Sequence, residues 1–208
     1  MNTNAESIRV VIISNQLIIR EGLRGLLSSY GTIVITGEFN SIDEAVLNFH
    51  PLQADIAIAT LASRNFSHAV FKWSLIPIPT LVLLPDASRL EVLTIQSAGV
   101  KGLLPQGSPA QNYVDAIEVV SKGSSYFSLQ IRPFLEHSTL PTQWFLLTNR
   151  ERLIFCLMTS GLSSTEIAAS MNVSTVAIRS YRRKLYKKME TSDTSGLARI
   201  ATKYGFVP

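Results

Sequence analysis

Arg179, Arg182, Arg183, Lys184, Lys187 and Lys188 crowd one short stretch of this 208-residue sequence, and their types suit a polyanion. Arg donates two bonds to guanine O6 and N7, whereas Lys and Ser more often hold phosphates. Whether such a run reads bases or is only a solvated surface depends on helix geometry. With Ile178 set at zero and about 100° added per residue, Tyr181, Leu185 and Met189 fall within about 60° of it and form one apolar stripe. Val176, Ser180, Arg183 and Lys187 lie opposite, flanked by Arg179 and Lys184. Arg179, Ser180 and Arg183 are expected near base edges, and Val176 against a thymine methyl. Arg182, Lys184, Lys187 and Lys188 are expected on the sugar-phosphate backbone.

Short helices must hold that face outward. Thr148-Asn149-Arg150-Glu151 and Ser163-Ser164-Thr165-Glu166 are capping boxes, in which the hydroxyl accepts from an orphan backbone N–H and the carboxylate returns the bond. The first opens a helix that ends near Gly161, which suits a left-handed cap, and the second a short helix through Ile167, Ala168 and Met171. Asn172 stops it and Ser174 caps the next, Thr175 to Met189. Two short helices joined by Asn172-Val173-Ser174, the second strongly basic, have the proportions of a helix-turn-helix.

The preceding part alternates strands with helices. Ile8–Ile13, Ile33–Gly37, Asp55–Ala59, Thr80–Leu84 and Gly102–Leu104 are short apolar runs, and helices are expected over Leu17–Tyr30, Ser41–Phe49, Arg89–Ala98 and Pro109–Lys122. Apolar runs without polar alternation suit strands buried on both faces, so an open α/β sandwich with a parallel sheet is expected. Residues 123–145 show no sustained period and contain Pro133 and Pro141, which reads as a linker. Trp144 and Phe145 read as packing residues. The domains expected are 1–124, a linker at 125–146, and 147–208.

Charge separates the two parts. From Thr148 onward Lys and Arg outnumber Asp and Glu 10 to 4, while earlier they number 9 against 11, which places the basic footprint of a nucleic-acid binder in the C-terminal part. An adaptor that lays the basic helix on an acidic protein is the alternative. No signal peptide or membrane span is visible, so a cytoplasmic protein is expected. The single cysteine, Cys156, excludes an internal disulfide and a Cys-rich zinc site, and its apolar neighbours mark it as a core thiol. No Ser/His/Asp arrangement, metal-ligand cluster or phosphate-cradling glycine loop appears, and His50, His68 and His137 have no motif around them. Neither catalysis, a cofactor nor a metal is expected.

Leu147-Thr148-Asn149-Arg150-Glu151-Arg152, Gly161-Leu162-Ser163-Ser164-Thr165-Glu166-Ile167-Ala168 and Val173 through Tyr181 resemble the LuxR-type helix-turn-helix of NarL/FixJ response regulators. The resemblance implies an all-α domain of four helices whose third reads double-stranded DNA. The fourth, about Thr194 to Lys203, would support a homodimer on inverted half-sites. Three positions depart from the family: Val176-Ala177 replaces Lys-Thr, and Glu190 replaces the glycine after the third helix. Residues 8–122 resemble the family's receiver, a flavodoxin-like doubly wound sheet, through Ile19-Arg20-Glu21-Gly22-Leu23-Arg24-Gly25-Leu26-Leu27 and Ala98-Gly99-Val100-Lys101-Gly102. A working receiver carries Mg²⁺-binding carboxylates, a phosphoacceptor Asp, a hydroxyl and a Lys. Here Ser14 and Asn15, Thr60, Leu84 or Pro85, and Gln106 stand at those places. The expectation is a pseudo-receiver without a phosphorylation switch, which dimerises and either answers to a protein or small ligand or is a constitutive dimerisation module only.

Overall fold

The computed structural model describes residues 7–48, 54–60, 73, 76–136 and 140–206. His50, His68, His137 and Phe49 lie outside them. Contacts divide the chain into two compact units, Met1–Asp86 with Val100–Gln130, and Ala87–Gly99 with Ile131–Pro208.

The first unit holds six strands: β1 (Ile8–Ile13), β2 (Ile33–Phe39), β3 (Ile56–Thr60), β4 (Thr80–Leu84), β5 (Gly102–Pro105) and β6 (Tyr126–Phe127). They pair in parallel in the order β2-β1-β3-β4-β5-β6. The first five follow the flavodoxin-like order, as expected. Helices α1 (Leu17–Ser28), α2 (Ile42–Asn48), α3 (Arg89–Ser97) and α4 (Ala110–Ser121) follow β1, β2, β4 and β5 along the chain. All five residues of β4 and the last four of β1 are buried, which is why these runs are apolar without alternation. Val10 and Ile12, Ile56 and Ile58, and Leu81 and Leu83 point to one face, where Leu23 and Leu27 of α1 and Tyr113, Ile117 and Val120 of α4 cover them. Gly102 is required by that packing: a Cβ there would lie 2.7 Å from Leu81 Cδ1 and 2.9 Å from Val120 Cγ2.

The stretch read as a linker is partly regular. Tyr126–Phe127 adds the sixth strand beside Gly102 and Leu103. Arg132–Leu135 forms a short helix, α5, and Thr142–Leu146 a 3₁₀ turn that buries Trp144. Phe145, expected to pack like Trp144, is 38% exposed.

The second unit contains α3, α5, the 3₁₀ turn and four further helices: α6 (Asn149–Thr159), α7 (Ser164–Ser170), α8 (Thr175–Lys188) and α9 (Thr194–Lys203). Its centre is aromatic, with Trp144, Phe155 and Phe206 ring centroids 5.0–5.7 Å apart. Helix α3 packs on α6, and Arg89 donates to the Tyr204 carbonyl. Cys156 is fully buried, and that burial pushes its thiol up to about 12, so it carries no thiolate near neutral pH.

Both expected capping boxes are present, and Ser174 caps α8 as read. Each of α6 to α9 then ends on a left-handed residue: Gly161, Asn172, Glu190 and Gly205. In each case the next N–H returns to a carbonyl five residues back, for example Thr191 N to Tyr186 O at 2.9 Å, which satisfies the orphan acceptors. Glycine suits this conformation and glutamate does not, since an L side chain there costs about 1–2 kcal/mol. Glu190→Gly is therefore expected to stabilise the protein by about 1 kcal/mol in chemical denaturation. A loss of stability would show that the Glu190 side chain contributes more than its backbone strain costs.

Candidate nucleic-acid interface

Helix α8 has the two faces its sequence requires. Ile178 and Leu185 are fully buried and Met189 nearly so, while Tyr181 is half-buried under the Arg150 guanidinium, 5.6 Å from its ring. On the other side Val176 is 66% exposed, and Arg179, Arg183, Lys184 and Lys187 are exposed, with Ser180 half-buried between them.

The six cations of α8 differ in their partners. Lys188 Nζ lies 2.7 Å from Glu151 Oε2 and 3.0 Å from the Leu146 carbonyl, so its charge is already compensated inside the unit. Arg182 turns toward neighbouring helices and donates to Ser164, Tyr186 and Thr194. Arg179, Arg183, Lys184 and Lys187 have no carboxylate partner among the described residues. Arg179 and Arg183, and Arg183 and Lys187, are like charges four residues apart, each pair costing a few tenths of a kcal/mol. No carboxylate among the described residues offsets that cost, whereas a polyanion would.

Two of the residues expected on the phosphate backbone, Arg182 and Lys188, are thus engaged within the unit. Ser164, Tyr186 and Thr194 were not among the residues singled out. Their only sequence signal is the i,i+4 spacing of Arg182 and Tyr186. The sequence marks Glu151 as a cap, and its second role as the partner of Lys188 has no signal there.

At the carboxyl ends of the strands, Ser14 is buried after β1 and Thr60 ends β3, and Thr60 Oγ1 donates to Ser14 Oγ at 2.7 Å. Asn15 is exposed, Leu84 is buried at the end of β4, and Pro85 is exposed. Gln106, just beyond β5, is half-buried and donates its backbone N–H to the Leu84 carbonyl. Asp55 sits at the opposite end of β3, where its bidentate bonds to Arg9 lead the causes that lower its pKa. Among the described residues no three His, Cys, Asp or Glu side chains cluster as a metal site.

Residues 146–201 match the family of bacterial regulatory proteins called luxR. This segment is a luxR-family domain. It covers the last 3₁₀ residue and α6 through most of α9, so α8 is the third helix of the luxR-family domain. Over its whole length the chain is similar to response regulators and transcriptional regulators. The transcriptional regulatory protein MctR of Rhizobium johnstonii is 25% identical over 209 residues, covering 99% of this chain and 98% of that protein. The response regulator protein VraR of Staphylococcus aureus is 23% identical over 207 residues, covering 97% and 99%. The fold is that of RcsB from Salmonella enterica serovar Typhimurium, solved bound to a promoter in the presence of phosphomimetic BeF₃⁻. It superposes with a TM-score of 0.60 at 18% identity over 94% of this chain and 98% of that one.

Proposed function

We propose that this chain is a sequence-specific DNA-binding transcriptional regulator that lays α8 in the major groove. The observation that carries this reading is the set of exposed, uncompensated cations on α8: Arg183 and Lys187 opposite the buried Ile178 and Leu185, with Arg179 and Lys184 flanking them. The luxR-family match of the same helices and the regulatory relatives support it. Arg179, Ser180 and Arg183 are assigned to base edges, Val176 to a thymine methyl, and Lys184 and Lys187 to phosphates. A homodimer on inverted half-sites is part of the proposal, with α9 as the contact helix. Titration of the protein against genomic fragments and random duplex tests it, with specific fragments bound at least tenfold tighter and with two protomers per site. Equal affinity for all duplexes, or preferential binding of an acidic protein, would reject it.

The N-terminal unit is proposed to act without phosphorylation. Mg²⁺ does not fit the ends of β1 and β3: Ser14, Asn15 and Thr60 offer neutral oxygens, and the Ser14 and Thr60 hydroxyls already bond each other. A threonine hydroxyl cannot form the acyl phosphate that an aspartate carboxylate forms. The unit is assigned to dimerisation, with a protein or small ligand as its regulator. After incubation with a small phosphodonor and Mg²⁺, intact-mass measurement is expected to show no phosphate adduct, and DNA affinity is expected to be unchanged. An adduct mapped to this end of the sheet would overturn the assignment.

A further inference from the structure

The Arg182 side chain sits among three hydroxyls and no carboxylate. Its Nη1 donates to Ser164 Oγ at 2.8 Å, its Nη2 to Tyr186 OH and Thr194 Oγ1 at 2.9 Å each, and its Nε to Tyr186 OH at 3.3 Å. Tyr186 OH and Thr194 Oγ1 are 2.8 Å apart. The Tyr186 oxygen has two lone pairs, both taken by Arg182, so Tyr186 must be the donor to Thr194. The Thr194 O–H is then left without an acceptor, as are the Ser164 O–H and one Nη1–H of Arg182. Of the carboxylates nearby along the chain, Asp193 accepts from the Gly196 N–H and Glu166 from the Ser163 N–H, each at the cap of its own helix, and neither they nor Glu190 pair with Arg182. Three donors and one full positive charge therefore converge without an acceptor among the described residues.

Direction narrows what fills them. On the α8 wheel Arg182 and Tyr186 lie about 40° and 80° from Ile178, on the side of Arg179 and Arg183. That is the flank of the helix. When the opposite face meets base edges, the flank meets the wall of the groove, which is made of phosphates. Thr194 is exposed there, at the first turn of α9, and Ser164 is at the first turn of α7. Ser164, Tyr186 and Thr194 thus gather around Arg182 from three helices.

We propose that Arg182, Ser164, Tyr186 and Thr194 form a preformed seat for one phosphate of the DNA backbone, with Thr194 and Ser164 donating to it directly and Tyr186 acting as a positioning residue that aims Arg182 and Thr194. The inference rests on the DNA-binding reading. It extends that reading to three residues that carry no charge and to a contact made jointly by α7, α8 and α9. The seat sets the register of α8 in the groove and contributes equally to every sequence.

Thr194→Val, Tyr186→Phe and Arg182→Gln test it in the full-length protein, with specific and random duplexes titrated over a range of salt. Thr194→Val and Tyr186→Phe are expected to weaken both duplexes alike, by about three- to tenfold, with the salt slope unchanged. Arg182→Gln is expected to lower the slope of log affinity against log salt by about one, a change that a purely structural role would not produce. Thr194→Val replaces an exposed hydroxyl, so it keeps the test valid if Arg182→Gln fails to fold. Wild-type affinity in Thr194→Val together with an unchanged slope in Arg182→Gln would overturn the seat while leaving DNA binding intact. A wild-type protein that binds no duplex would overturn the underlying reading instead. Inorganic phosphate that binds the wild type but not Arg182→Gln, without competing with duplex, would identify a free-anion site and refute the backbone assignment.

Discussion

Arg183→Ala is expected to weaken binding to a specific duplex by about 1–3 kcal/mol, and to weaken binding to random duplex far less. Arg183 is exposed, has no carboxylate partner among the described residues, and lies on the face of α8 opposite the buried Ile178, Leu185 and Met189. Removing it therefore costs the fold nothing and slightly relieves the repulsion from Arg179 and Lys187, one turn away on either side. What is lost is a bidentate bond to a purine, which random sequence does not offer at the right place. Lys187→Ala, one turn further along the same face, should instead lower the salt slope by about one and affect both duplexes equally. Binding titrations at two salt concentrations separate the two cases. Equal loss on specific and random duplex for Arg183→Ala would remove it from base reading and return it to the phosphates.

The contrast between Arg183 and Lys188 shows which information lay in the sequence. The wheel drawn from Ile178 placed the buried and exposed sides of α8 correctly because both follow from a fixed helical period. Strands β1 and β4 were legible to the residue, since a largely apolar run of five or six residues has few alternatives beside helices of this spacing. Strand β6 was not: two residues cannot show a period, and Tyr126–Phe127 becomes a strand only because Gly102 and Leu103 offer it an edge. The same holds for Lys188 and Arg182. Their charge is plain in the sequence but their partners are not: Lys188 meets Glu151 across 37 residues of sequence, and Arg182 meets Ser164 across 18. A pairing of that separation leaves no trace in spacing. Likewise, nothing in residues 87–99 shows that α3 packs on α6.

Breaking the Glu151–Lys188 pair is expected to have the largest effect on stability. Glu151 is 4% exposed and accepts from Thr148 N, Thr148 Oγ1 and Lys188 Nζ, joining the start of α6 to the end of α8. Burial alone would raise its pKa, but the bonds from Lys188 and Thr148 together outweigh burial and hold it below the usual carboxylate value. The folded pKa is thus lower than the unfolded one, so the pair stabilises the protein above the unfolded value of about 4.3, and this contribution is lost as pH falls through the folded value. The two ways of breaking it are unequal. Glu151→Gln leaves an ammonium that is 34% exposed and can turn to water, whereas Lys188→Met leaves a carboxylate in the interior with only Thr148 to meet it. Lys188→Met should therefore cost more at neutral pH, about 3 kcal/mol against about 2 kcal/mol for Glu151→Gln. Its deficit should also shrink on acidification, because the stranded Glu151 takes up a proton at a higher pH than in the wild type. Urea titrations at pH 7 and near pH 4, followed by tryptophan fluorescence, measure both differences. A Lys188→Met protein as stable as the wild type at pH 7 would mean that Lys188 is free to leave Glu151, and it would return Lys188 to the set of phosphate contacts on α8.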